Sequence, residues 1–172
     1  MVYFMSVASL GFTVAFHRSV LGFLKGMLYS VVVDFAFVGL FASTLGWYLA
    51  NHYLLIEHVS AHTTEQTVEW LYAFDIHCNS FFPFFILLYV MQFFLLPLLT
   101  RGGLLSCILA NALYAVAFTL YFYITFLGYD VLPFLQHTTI FLYPIAAVAV
   151  AFVALCLVRT NLCIVVMKSY FG

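Results

Sequence analysis

The sequence predicts an all-α fold, a polytopic transmembrane helix bundle of about five spanning helices. Of its 172 residues, 67% are hydrophobic and only 6% are charged, whereas soluble domains carry about 25% charged residues. The apolar residues lie in long runs without the alternation of polar and apolar residues that a β-barrel strand requires. Because a spanning helix needs about 20 apolar residues, the chain has room for about five spans in a single transmembrane domain, residues 1–172.

The first two predicted spans cover residues 2–16 and 27–50. The first ends before a histidine and an arginine, and no basic segment or cleavage site precedes it, which favours a spanning helix over a signal peptide. Its abrupt start also suggests that an N-terminal segment is missing from the chain. The second span is interrupted by Asp34 and ends at Asn51.

The other three predicted spans follow a polar stretch, 57–69, which holds three glutamates and two histidines. The third span, 81–99, stops before an arginine and two glycines. The fourth, 104–127, leads into a Gly-Tyr-Asp turn, and the fifth, 140–158, ends before an arginine. The last residues, 161–172, are too few and too mixed in character to form a span.

Composition and motifs exclude several classes of protein. The net charge is −1 and the five cations are scattered, so the chain has no basic surface for nucleic acid. There is no GxSxG, no phosphate-binding Walker loop and no HExxH. The four cysteines form no CxxC pair, which argues against a disulfide framework. We therefore predict neither enzymatic activity nor a cofactor.

Three polar side chains interrupt the predicted spans: Asp34, Gln92 and Asn111. A charged group at the centre of a spanning helix costs about 2.5–3.5 kcal/mol and therefore faces protein or water. Asp34 belongs either to a proton or ion relay or, as we favour, to a hydrogen-bonded packing contact, because no second intramembrane acid or base completes a pathway. Gln92 and Asn111 are predicted to form hydrogen bonds across helices. A small transporter or channel with a polar path along these three residues is the alternative function.

Small residues recur on one face of the second predicted span. Gly39, Ser43 and Gly46 are spaced by four and three residues, so they share a helix face. A stripe of this kind lets two helix backbones approach closely, and it predicts a packing contact.

Asp75, His77 and Asn79 form a D-x-H-x-N pattern and are candidate metal ligands, because carboxylate and imidazole bind zinc and iron. On a helix, however, residues two positions apart point about 200° away from each other. The three residues could then converge on a metal only with further ligands, such as a histidine from 52–62. We favour a polar belt at the membrane interface that turns the chain into the third span, and no metal is predicted.

The run from Val68 to Pro83, VEWLYAFDIHCNSFFP, resembles the signature of the Unc-fifty family of eukaryotic Golgi membrane proteins. The stretch 123–135 resembles the family's turn between its fourth and fifth helices, and 142–144 resembles the start of its last helix. Asp34 matches an acid in the family's second span. The polar, basic N-terminal segment usual in the family is absent here. The signature residues, which are possible interaction residues, are Glu69, Trp70, Tyr72, Asp75, His77, Asn79 and Pro83.

The resemblance implies a non-enzymatic, multi-pass protein of the Golgi or early secretory membrane that supports vesicular trafficking. It implies three kinds of partner: the lipid bilayer, trafficking proteins such as Arf exchange factors, and receptor cargo such as nicotinic acetylcholine receptors. The orientation is predicted in two ways. The positive-inside rule places the C-terminus in the cytosol, whereas five spans after a cytosolic N-terminal segment place it in the lumen. We favour the family layout, because only five cations support the other orientation.

Overall fold

The computed structural model describes residues 5–8, 10–11, 24, 26–56 and 66–171. These residues are almost entirely helical and include no strand; their only extended pairing is a single bridge between Leu55 and Leu135. The predicted all-α class is thereby confirmed. The predicted first span, 2–16, lies mostly outside the described residues, although 5–8 and 10–11 are helical.

Four helices in the described part of the chain are long and apolar enough to cross a membrane. We number them α1 to α4 in chain order, and we name the shorter helix Leu162–Phe171 α5. Contacts between residues of neighbouring helices show that α2 lies between α1 and α3, and that α3 also contacts α4 and α5. The four long helices are Gly26–Tyr53, Trp70–Leu99, Leu104–Asp130 and Thr138–Leu157.

Helix α2 is longer than the third predicted span, because it begins at Trp70 and not at Phe81. The segment 69–83, predicted to be a belt that turns the chain at the interface, instead forms about the first four turns of a spanning helix. Ala73, His77 and Ser80 fall on one face of this segment and are buried. The predicted turn was wrong, since the chain is helical from Trp70, and the buried residues face neighbouring helices, where protein groups replace water.

Both α1 and α2 contain a stretch of wider, π-helical turns. These stretches are Tyr29–Phe37 in α1 and Ile86–Met91 in α2. The second stretch follows Pro83, which has no N–H group to donate to the helix. Because π-turns shift the side chains that follow and are frequent at functional sites, the side chains that these stretches carry are described in the next section.

The small-residue stripe of α1 packs as predicted, since Gly39, Ser43 and Gly46 are all buried. A Cβ atom at Gly39 would lie 2.5 Å from Nε2 of His77, and one at Gly46 would overlap the hydroxyl group of Tyr129. The stripe therefore lets α1 approach side chains of both α2 and α3, where a larger residue would not fit.

Two buried clusters lie toward opposite ends of the bundle. One joins the end of α1, the start of α2 and the turn between α3 and α4, and the other joins the end of α2, the first half of α3 and α5. The first contains Ala50, Leu54, Val68, Ala73, Ile76, Tyr129, Leu135 and Phe141, and the second contains Leu88, Leu99, Ala110, Tyr114, Ala117 and Cys163.

Candidate functional site

The buried face of the signature segment is built around His77, of which only 2% is exposed. Its Nδ1 lies 2.8 Å from the hydroxyl group of Tyr121 on α3, in a hydrogen bond whose donor depends on the tautomer. Its Nε2 lies against Gly39 of α1. These contacts make the imidazole a core residue that joins three helices. Three aromatic rings also surround it: Phe35, Phe74 and Phe81.

Two further signature residues tie the start of α2 to its neighbours. The indole Nε1 of Trp70 donates a hydrogen bond of 3.1 Å to the hydroxyl oxygen of Thr44 on α1. The hydroxyl group of Tyr72 donates one of 2.8 Å to the carbonyl oxygen of Gly128 at the end of α3. Both contacts are between residues far apart in sequence, and they hold this end of the bundle together.

The opposite side of the segment is exposed, and we call Glu69, Asp75 and Asn79 the signature face. Asp75 and Asn79 are four residues apart, so their side chains are neighbours on the helix. Leu71, of which 71% is exposed, lies one turn before Asp75. A carboxylate and an amide on the outer side of a spanning helix are unfavourable against lipid, so this face is suited to contact with another polypeptide.

The D-x-H-x-N residues do not converge, because His77 points into the bundle whereas Asp75 and Asn79 are exposed. Among the residues that the structure describes, no three His, Cys, Asp or Glu side chains are placed to hold a metal ion. Two of the histidines considered as further ligands, at positions 58 and 62, lie outside these residues.

A second candidate site is a cavity of about 500 Å³ between α1, α2, α3 and α5, which we call the Asp34 cavity. Asp34 and Tyr89 come from the two π-helical stretches, and the Tyr89 hydroxyl donates a hydrogen bond of 2.5 Å to Oδ2 of Asp34. Ser30, Gln92 and Tyr114 supply further polar groups to the wall. The wider turns thus place an acid and a phenol opposite each other inside the bundle.

Gln92 is fully buried in the wall of this cavity. Its Nε2 donates a long hydrogen bond of 3.5 Å to the sulfur atom of Cys163 on α5. Its Oε1 has no hydrogen-bond partner within the described residues. Burial raises the pKa of the Cys163 thiol to about 11, despite the opposing effect of the Gln92 hydrogen bond. This thiol is therefore protonated at neutral pH.

Asn111 does not line the Asp34 cavity. Its Nδ2 donates to the carbonyl oxygen of Thr160 at 2.9 Å, and its Oδ1 accepts from the backbone N–H of Leu162 at 3.1 Å. The side chain therefore binds the start of α5 to α3, which agrees with the predicted cross-helix hydrogen bond. Of the three predicted intramembrane polar residues, the structure brings together only Asp34 and Gln92.

Several hydroxyl-bearing residues of these sites were missed at the level of sequence. Tyr114, Tyr121, Thr125 and Tyr129 recur at spacings of seven, four and four, which places them on one face of α3. The hydroxyl group of Thr125 donates to that of Ser80 on α2 at 3.0 Å. The spacing of these four residues is the signal in the sequence that could have revealed this face.

Comparison with known proteins gives a consistent result. The family model described as UNC-50 matches residues 1–171. The unc-50 homolog of Dictyostelium discoideum is 49% identical over 173 residues, which cover 100% of this chain and 66% of that protein. The GMH1 homolog of Schizosaccharomyces pombe is 41% identical over 152 residues, covering 88% and 64%. The unc-50 homolog of Homo sapiens is 38% identical over 141 residues, covering 81% and 53%.

No solved structure matches this chain. The chain spans between about half and two thirds of the length of these curated relatives. The family match nevertheless extends over nearly the whole chain and includes the signature face and the Asp34 cavity. From this match and the identities above, the chain belongs to the UNC-50 family.

Proposed function

We propose that this protein is a non-enzymatic membrane protein of the Golgi or early secretory pathway that supports vesicular trafficking by recruiting partner proteins. Family membership supports the proposal, and the observation that carries it is the exposed signature face. The partners that the resemblance implies are trafficking proteins such as Arf exchange factors, with receptors as the cargo whose delivery is aided.

The position of the signature face suits a partner that approaches the bundle from one side of the membrane. Asp75 lies five residues after the start of α2, which corresponds to about 8 Å along the helix axis. Glu69, at the very start, is exposed as well. Together they present negative charge and an amide at the depth that a juxtamembrane segment of another protein can reach. A partner with a basic or amide-rich segment would satisfy these groups better than lipid does.

The test is an affinity pull-down from detergent-solubilised Golgi membranes with a full-length tagged protein. We expect the double variant Asp75→Leu, Asn79→Leu to recover at least about tenfold less Arf exchange factor, because loss of charge-assisted contacts of this kind costs about 1.5–3 kcal/mol. Gln136→Leu is the matched control, since Gln136 is an exposed polar residue outside the signature face. Unchanged recovery by a double variant that still elutes as a single species would refute the proposal.

A second candidate, a small transporter or channel, is favoured by one observation, the Asp34–Tyr89 hydrogen bond inside a cavity. Against it, Asn111 lies away from the cavity, and most lining residues are apolar. A proteoliposome flux assay that compares the wild type with Asp34→Asn tests this candidate. Flux that is absent, or equal in the two proteins, eliminates it.

A further inference from the structure

We propose that the Asp34 cavity binds a lipid alcohol, a membrane lipid whose small polar end is a hydroxyl group and not a phosphate. The proposal is independent of partner recruitment by the signature face. It is based on three features of the cavity: its opening toward the bilayer, the polar groups at one end, and the chemistry of those groups.

The cavity opens through residues that face outward within the spans. Phe41 and Leu45 of α1 are 66% and 47% exposed, and Phe118 of α3 is 40% exposed, yet all three also line the cavity. Because these residues lie in the middle of membrane-spanning helices, the opening faces lipid. The volume of about 500 Å³ falls within the range of about 300–1,000 Å³ typical of small-molecule sites. An apolar ligand could therefore enter laterally from the bilayer.

The polar groups are gathered at one end of the cavity. Asp34 lies eight residues after the start of α1 and Gln92 lies seven residues before the end of α2. Since α1 and α2 run antiparallel, with Asp34 beside Tyr89 and Thr44 beside Trp70, these positions are at a similar depth, about 10–12 Å from the same helix ends. The exposed apolar residues lie deeper. An amphipathic molecule would fit with its polar end at Asp34 and Gln92.

The polar end of the cavity contains a residue with a buried hydrogen-bond acceptor that has no donor among the described residues. Gln92 is fully buried, and its Oε1 has no partner among the described residues. A buried acceptor without a donor is unfavourable, and a ligand hydroxyl in the cavity would supply one. The wall also carries the hydroxyl groups of Ser30 and Tyr114; that of Ser30 donates to the carbonyl oxygen of Met27, so its oxygen remains an acceptor. A hydroxyl group both donates and accepts, whereas an ammonium group can only donate.

A phosphate-bearing headgroup does not fit this wall. The described lining residues include Asp34 but no lysine, arginine or histidine. Phosphate binding depends on such cations or on free backbone N–H groups, and the polar lining residues Asp34, Gln92 and Tyr114 lie inside their helices, where backbone N–H groups are bonded within the helix. The same wall would repel an anionic headgroup through the Asp34 carboxylate. A lipid alcohol avoids both problems.

The proposal is tested by photocrosslinking of the purified full-length protein in phosphatidylcholine nanodiscs. The probes are photoactivatable diacylglycerol and photoactivatable cholesterol, which represent the two common sources of a lipid hydroxyl, with photoactivatable phosphatidylcholine and a photoactivatable fatty amine without hydroxyl groups for comparison. Peptide mapping by mass spectrometry locates the adducts. We expect at least one alcohol probe to label cavity residues such as Phe41 and Phe118 about tenfold more than phosphatidylcholine does, as expected for a ligand that satisfies one buried hydrogen bond.

Two variants examine the cavity itself. Ala42→Phe places a ring among the lining residues, and we expect it to abolish cavity labelling; Ala146→Phe, at an exposed position of α4, is the matched control. Gln92→Leu removes the unpaired acceptor and should reduce alcohol labelling about tenfold. If Ala42→Phe does not fold, as judged by size-exclusion chromatography, Gln92→Leu alone decides. Labelling that is equal for alcohol and phosphatidylcholine, stronger for the fatty amine, or unchanged by the folded variants overturns the proposal.

Discussion

Helices α2 and α4 are both apolar enough to cross a membrane, but they bury different amounts of surface. In α2, the residues His77, Ser80, Phe85 and Gln92 are buried, and their neighbours come from α1, α3 and α5. In α4, no residue of Tyr143–Leu157 is buried. The comparison indicates that polar residues in a spanning segment mark a helix that packs against several others. A uniformly apolar segment can remain at the periphery, because lipid satisfies it as well as protein does.

The strongest test of this comparison is Gly39→Leu, which places a bulky side chain between α1 and His77 of α2. Because even a Cβ atom would lie 2.5 Å from Nε2 of His77, we expect a loss of about 3 kcal/mol of unfolding free energy, the upper end of the usual cost of overpacking. Thermal unfolding in detergent, followed by size-exclusion chromatography, measures the effect. Ala147→Leu, at an exposed position of α4, should remain within about 0.5 kcal/mol of the wild type. Equal destabilisation of both variants would show that α4 is also covered.

The second test compares two tyrosine hydroxyl groups. Tyr121→Phe removes the hydrogen-bond partner of His77 Nδ1, so we expect it to cost about 1–3 kcal/mol by leaving a buried polar group without a partner. Tyr143→Phe removes a hydroxyl from a residue that is 70% exposed at the start of α4, and its effect should be below about 0.5 kcal/mol. Denaturant titration of both purified variants measures the difference. If the two variants were equally stable, the His77 contact would contribute nothing to the central position of α2.

The smallest expected effect concerns two thiols, Cys163 beside Gln92 of α2 and Cys156 on α4. Cys163 is fully buried and its pKa is raised to about 11 by burial, whereas Cys156 is half-buried. Because the thiolate is the nucleophile, we expect N-ethylmaleimide to modify Cys163 more slowly than Cys156 at pH 7.4, as measured by mass spectrometry on one sample. Similar rates for the two thiols would contradict the packing of α5 against α2.

The same thiol predicts that stability depends on pH in the alkaline range. Because burial raises the pKa of the Cys163 thiol in the folded protein, the folded state favours the protonated thiol. The contribution of this thiol to the free energy of unfolding is therefore complete below the ordinary thiol pKa. It is lost as the pH rises toward 11. The variant Cys163→Ala should lack this decline when unfolding is followed between pH 8 and 11. A decline of the same size in Cys163→Ala would assign it to another group.

The signature segment shows how far the sequence could predict the site. The helical spacing of Asp75, His77 and Asn79 already indicated that the three would diverge, and in the structure His77 is buried while the other two are exposed. The start of α2 at Trp70 was not predicted, because polar residues such as His77 and Ser80 lower the mean hydropathy of the stretch before Phe81. Their partners, Tyr121 and Thr125, lie more than forty residues away in sequence.

The Asp34 cavity shows the same limit. The sequence identified Asp34, Gln92 and Asn111 as polar groups that need partners, but it suggested one path for all three. The structure gives Asp34 a partner in Tyr89, leaves Gln92 Oε1 buried without a partner among the described residues, and places Asn111 at the start of α5. The two π-helical stretches that align Asp34 with Tyr89 have no clear sequence signal apart from Pro83.

The sequence by itself determined the membrane class, the approximate positions of the long apolar helices in the described residues, and the family to which the chain belongs. These properties depend on local composition and on short motifs, so they can be determined from residues that are close together in the sequence. Only the tertiary structure decided which polar residues face inward, which are exposed and which line a cavity. That decision depends on contacts between distant residues, since a polar group in a bilayer is stable only where another helix supplies its partner.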